Sequence, residues 1–146
     1  MSHTSEQDSV LAFAFELKSL ATELNSALAA RFRPLGLTGV QAEAIIALDS
    51  LGPVTLKELA THLVAESGHP SRLVSRLVDD GLVARTVSPS DGRAVVLKLT
   101  QHGRDLAARA REARQPLVEE FAHACDSRLS EAVDLLRQLR RTLAER

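Results

Sequence analysis

The chain has 146 residues and a net charge of −1, from 18 basic and 19 acidic side chains. Apolar residues make up 45% and charged residues 25%, the mix of a soluble globular domain rather than of a polycation or an acidic tail. One cysteine excludes a disulfide framework, no apolar run approaches the roughly 18 residues of a membrane span, and the lack of Trp and Tyr argues against a stacking platform for single-stranded nucleic acid.

The polar start, Met1 to Ser9, has no apolar core for a signal peptide, so the expected location is cytoplasmic. From Ser9 to about Arg33, apolar residues at Val10, Phe13, Ala14, Leu17, Leu20, Ala21, Leu24, Leu28 and Phe32 step by three and four, which predicts a helix with one apolar face. Pro34 and Gly36 end it, and residues 1–8 are expected to fray. Thr38-x-x-Gln41 is a capping box with Leu37 as its staple residue. It opens a second helix with the stripe Ala42, Ile45, Ile46 and Leu48, stopped by Gly52-Pro53. Thr55-x-x-Glu58 repeats the device for a short helix ending near His62 or Leu63.

The next helix is expected between Ser67 and Asp80. With Ser67 as N-cap, Pro70 is the third helical residue, where its missing N–H has no partner to lose, and Gly81 ends the helix. Leu82–Val87 and Ala94–Leu99 are Val- and Leu-rich runs around an Asp-Gly turn, which reads as a hairpin. Val95, Leu97 and Leu99 alternate with Ala94, Val96 and Lys98, so one face is expected to be buried. Thr100 caps a fifth helix carrying Leu106, Ala110, Ala113, Leu117, Phe121 and Ala124, with Pro116 as a site for a bend. Ser130 is read as the cap of a last helix with Val133, Leu136, Leu139 and Leu143 on one face.

This order predicts a mainly α fold with a minor β component: a winged helix-turn-helix flanked by long N- and C-terminal dimerisation helices. One continuous domain is expected, with residues 1–37 as the N-terminal dimerisation helix, 38–100 as the DNA-binding lobe and 101–146 as the C-terminal dimerisation helices. The first, fifth and sixth helices carry more apolar stripe than so small a core can bury, so a second copy of the chain is expected against them. Any basic surface must be local. Residues 1–51 hold three basic and six acidic residues, residues 52–100 six and five, and residues 101–146 nine and eight.

At about 100° per residue, Pro70, Leu73, Val74, Leu77 and Val78 point to one side of the fourth helix. The other side offers Gly68, His69, Ser71 at its edge, Arg72, Ser75 and Arg76, with Ser67 at the start of the helix. That composition suits a major-groove helix: Arg can fork onto guanine, Ser can donate or accept, and Gly admits close backbone approach. The same arginines would also sit on an ordinary solvated helix face. At the hairpin tip, Arg93 is placed to enter a narrow minor groove, and Asp91 is spaced to pair with it and set its direction.

Leu59-Ala60-x-x-Leu63, then Arg72-Leu73-Val74-x-Arg76-Leu77-x-x-x-Gly81-Leu82-Val83-x-Arg85, then Asp91-x-Arg93-x-x-x-x-x-Leu99-Thr100-x-x-Gly103 follow in order. Over about residues 38–106 this pattern resembles the MarR family of bacterial transcription regulators. The resemblance implies an obligate homodimer on a pseudo-palindromic operator, often a repressor, with Asp91 and Arg93 reaching the minor groove or backbone. It also implies possible release by small aromatic acids, drugs, thiol oxidation or metal. Gly68 and His69 stand where the family commonly has Ser or Thr, Ser75 stands where it has an acidic residue, and Pro70 is unusual there; these departures bear on which operator is read.

For regulation, Cys125 reads as a small helix-interface residue, and five His without an i,i+4 pair give no expected metal site. Phe13, Leu17, Ile45 and Ile46, with His102 or Arg104 near an anionic group, are the candidate effector pocket; the simpler reading is that the apolar four fill the core. The expected function is sequence-specific binding of double-stranded DNA as a homodimeric repressor open to a small aromatic or anionic effector. The alternative is a winged-helix protein-interaction module using the same face for an acidic partner. No phosphate-cradling loop, nucleophile elbow or HExxH motif occurs, so neither an enzyme nor a cofactor is expected.

Overall fold

The computed structural model describes residues 2–63, 69–88, 90, 92 and 94–146. Its elements are α1 (Ser2–Phe32), a 3₁₀ turn (Arg33–Leu35), α2 (Gly39–Leu51), α3 (Leu56–Ala60), α4 (Pro70–Asp79), β1 (Val83–Val87), β2 (Val95–Leu99), α5 (Gln101–Cys125), a further 3₁₀ turn (Asp126–Arg128) and α6 (Leu129–Ala144). The chain forms two compact units, one up to Ala113 and one from Arg114. The helix pair and the antiparallel hairpin make up the winged helix-turn-helix that the sequence predicts, and long helices precede and follow it in the chain. No helix of the described residues is long and apolar enough to cross a membrane.

Both capping boxes form. Thr38 Oγ1 accepts from Gln41 N at 3.2 Å while Gln41 Oε1 accepts from Thr38 N at 2.9 Å. Thr55 and Glu58 repeat this reciprocal pair at 3.2 Å each way. Each box satisfies amide donors that the first helical turn leaves open. α3 closes at Ala60, earlier than the predicted end near His62 or Leu63, and the Thr61 hydroxyl donates back to Glu58 O at 2.7 Å.

Three boundaries differ from the sequence reading. Residues 2–8 are helical rather than frayed; they contain neither Gly nor Pro, and Ser9 lies inside α1 with its hydroxyl donating to Ser5 O at 3.0 Å. α4 begins at Pro70, with His69 as N-cap and no side-chain cap, so Pro70 is the first helical residue rather than the third. A residue before proline is driven out of the α region, and proline at the first position loses no hydrogen bond. α6 begins at Leu129, so Ser130 lies within its first turn instead of capping it; Asp126, at φ 49°, turns the chain out of α5.

The end of α4 follows the sequence. Gly81 adopts φ 76°, Gly81 N donates to Val78 O at 3.0 Å and Leu82 N donates to Leu77 O at 2.9 Å. That is a Schellman closure, which a side chain at Gly81 would strain. It delivers Leu82 into the core and starts β1.

The hairpin pairs Val83 with Leu99, Arg85 with Leu97 and Val87 with Val95. Leu97 and Leu99 are buried, but Val95 is exposed, so the predicted buried face covers only the base of the hairpin. Val54 joins the sheet edge through a bridge to Leu97, with bonds of 3.2 and 2.7 Å.

The core of the first unit is the meeting of these stripes. Ile45 and Leu48 of α2, Leu59 of α3, and Val74 and Leu77 of α4 are fully enclosed. Phe32, Leu97, Leu99, Leu106 and Ala110 close around them. Among the large residues of the α1 stripe, Leu24 and Leu28 are half-buried and Phe32 buried, whereas Val10, Phe13, Leu17 and Leu20 are exposed.

Arg111 of α5 clamps the last turn of α2. It pairs with the Asp49 carboxylate and donates to Ser50 Oγ at 2.9 Å and Ile46 O at 3.4 Å. A cation at that end also complements the helix dipole. The two side chains are 36% and 25% exposed, so solvent screens the pair. Arg111→Ala is expected to lower unfolding stability in urea by about 1 kcal/mol. Adding Asp49→Asn should recover part of that loss; a double variant no better than the single would show that the charge pair contributes nothing.

Candidate nucleic-acid interface

The inner side of α4 anchors it: Val74 and Leu77 are buried, and Pro70, Leu73 and Val78 are half-buried. This phase leaves His69, Ser71, Arg72, Ser75 and Arg76 exposed on the other side, as the sequence predicts. The expected sites Ser67, Gly68, Asp91 and Arg93 lie outside the described residues.

Sequence reasoning missed one member of this face. Arg85 of β1 donates from Nη2 to Ser75 Oγ at 2.9 Å. Cross-strand pairing with Leu97 sends its side chain from the sheet face that carries the buried leucines, and from there it reaches α4. The signal was present in the Gly81-Leu82-Val83-x-Arg85 run, where period-two alternation puts Arg85 on the side of Val83. Among the described residues no carboxylate lies within ion-pair distance of Arg72, Arg76 or Arg85. Three guanidinium groups therefore give α4 a local positive field within a chain of net charge −1.

The hairpin is seated against α5 by backbone chemistry. Thr100 N donates to Leu82 O at 3.0 Å, and the Thr100 hydroxyl donates to Gly81 O at 2.6 Å while accepting from Gly103 N at 3.0 Å. Thr100 is thus both the expected N-cap of α5 and the tie between α5 and the loop after α4. Towards the tip, Ser88 N donates to Ala94 O at 2.8 Å, and the Ser88 and Ser90 hydroxyls are 3.1 Å apart.

The six residues expected around an effector occupy three settings. Phe13 and Leu17 lie on the exposed stretch of α1, and Ile45 and Ile46 lie in the core. His102 and Arg104 are exposed in the first turn of α5, where Arg104 donates to Leu99 O at 3.1 Å and Gln101 Oε1 at 2.9 Å. Cys125 is half-buried and unpaired at the end of α5. Among the described residues no three His, Cys, Asp or Glu side chains are grouped to hold a metal ion.

Comparison with known proteins places this architecture. The model of the MarR family matches residues 37–95, which run from the first capping box to the second strand. An HTH-type transcriptional regulator of Mycobacterium leprae is 32% identical over 117 residues, 75% of this chain and 80% of that protein. The HTH-type transcriptional repressor IacR of Pseudomonas putida is 31% identical over 72 residues, 49% of this chain but only 43% of that protein. Among solved structures, a mutant of Escherichia coli MarR complexed with operator DNA shares the fold at a TM-score of 0.77 and 22% identity, over 90% of this chain and 95% of that one. By the family match across the helix-turn-helix and a relative that is aligned over most of its length, the chain belongs to the MarR family.

Proposed function

We propose that the chain is a sequence-specific, double-stranded DNA-binding transcription regulator that acts as a homodimeric repressor on a pseudo-palindromic operator. The observation that carries this reading is the outward face of α4, exposed from His69 to Arg76 and bearing arginines without a described acidic partner. The family and the operator complex of its structural relative support it. The exposed apolar residues of α1 and α6 support the dimer, because so much apolar helix surface is not left to water without a partner. The family reading also supports a cytoplasmic protein without catalytic activity.

On this reading Arg72 is the base-reading side chain and Arg76 its neighbour on the same face. Selection of bound duplexes from a random-sequence pool tests the proposal, and recovery of a two-fold repeated motif is the expected result. Arg72→Ala should then weaken binding to the selected duplex by about 1–3 kcal/mol and relax preference at one base pair of each half-site. Equal weakening on every duplex would remove base reading from Arg72 and leave it a backbone contact.

A further inference from the structure

Arg85 stands off the axis of α4, on a strand, yet its guanidinium lies 2.9 Å from a hydroxyl on the outward face of that helix. An α-helix with its side chains is about 10–12 Å across, and the major groove is about 12 Å wide. A helix seated there fills the groove. Groups in front of it meet base edges, and groups beside it meet the groove walls, which are phosphate.

The partner of Arg85 decides what its charge can do. Ser75 is neutral, so the hydrogen bond fixes the guanidinium without cancelling its charge. A guanidinium has five donors, and one bond to Ser75 leaves others for an anion. Asp79, one turn beyond Ser75 on α4, is exposed and is not within ion-pair distance of Arg85.

We propose that Arg85 is a phosphate contact flanking the recognition helix, held in place by the uncharged Ser75 hydroxyl and carrying its full charge to the DNA backbone. The proposal rests on the DNA-binding reading above and extends it to a residue outside the helix-turn-helix. Ser75 thereby acts as a positioning residue for Arg85.

The salt dependence of binding tests it, because each phosphate contact releases counterions and adds about 0.9 to the slope of log affinity against log salt. The probe is a mixed-sequence duplex, titrated with the full chain. Arg85→Gln keeps a hydrogen-bonding amide but loses the charge. It should lower the slope by about 1.8 for two protomers and weaken binding by tenfold or more at about 0.1 M salt. Arg85→Lys keeps the charge and should keep the slope. Ser75→Asp gives the guanidinium a carboxylate, so it should lower the slope without lowering the melting temperature.

If Arg85 only braces the helix, Arg85→Gln binds less tightly through poorer folding but with the wild-type slope, and the proposal is overturned. Ser75→Asp with an unchanged slope overturns it too. A wild-type chain that binds no duplex at any salt concentration would sink the DNA-binding reading itself, a result distinct from the loss of one contact.

Discussion

Gly103→Ala is expected to destabilise the chain by about 2–4 kcal/mol, against the usual trend for helices. Inside a helix, alanine normally gains about 0.5–1 kcal/mol over glycine. At Gly103 the new Cβ would stand 2.1 Å from Leu82 O and 3.2 Å from a methyl of Leu99. The clashing oxygen belongs to backbone, and it is also the acceptor for Thr100 N. It cannot swing aside as the end of a side chain could. Either α5 backs away from the hairpin or the Leu82 peptide turns and forfeits its bond. Both routes also disturb the Gly81–Thr100 contact, which holds the loop between α4 and β1. For a chain of this size the loss corresponds to a fall in melting temperature of roughly 5–15 °C. Gly39→Ala is the control, since no atom lies within 4 Å of the Cβ it would add. Gly103→Ala melting at or above wild type would mean that α5 and the hairpin are not in this close contact.

What could be read from the sequence was local. Thr38 with Gln41 and Thr55 with Glu58 act across three residues, and the same four residues bond reciprocally in the structure. Alternation set the strand faces, and Gly81 marked the end of α4 because a positive φ there leaves few other choices. The misreadings have a common cause. Ser67 and Ser130 are both expected as N-caps, but a serine caps a helix only if its own backbone lies outside the helical region. Pro70 and Asp126 set those two backbone paths instead, and residues 2–8, expected to fray, contain nothing that breaks a helix. Longer-range partners were invisible to such rules. Arg85 finds Ser75 across a turn, Val54 finds Leu97 across the helix pair, and Arg111 finds Asp49 across most of the first unit. The α4 face was legible for a different reason: helical phase divides a short helix into an inner and an outer side once its core residues are known.

Leu136→Glu combined with Leu143→Glu is expected to convert the protein to a monomer and to weaken operator binding by two to four orders of magnitude, the usual range for losing a second linked site. Both leucines lie on the apolar stripe of α6 and are 40% and 65% exposed. Covering a leucine stabilises an interface by about 1.5–3 kcal/mol, and a two-fold dimer loses each position twice. Glutamate adds the cost of burying an unpaired charge. Four changed positions therefore outweigh the binding energy of most dimers of moderate size. The link to DNA is geometric. Successive half-sites on one face of the duplex lie about 34 Å apart, and two α4 helices reach both only if a partner holds them at that spacing. A monomer keeps the contacts of one half-site and loses the second as an intramolecular event. Light scattering should give the mass of one chain, circular dichroism should keep the wild-type helix content, and affinity for a single half-site duplex should match that of the wild-type protein per half-site. A variant that remains a dimer, or a monomer that holds the full operator as tightly as wild type, would separate the apolar face of α6 from DNA binding and place the dimer contact elsewhere.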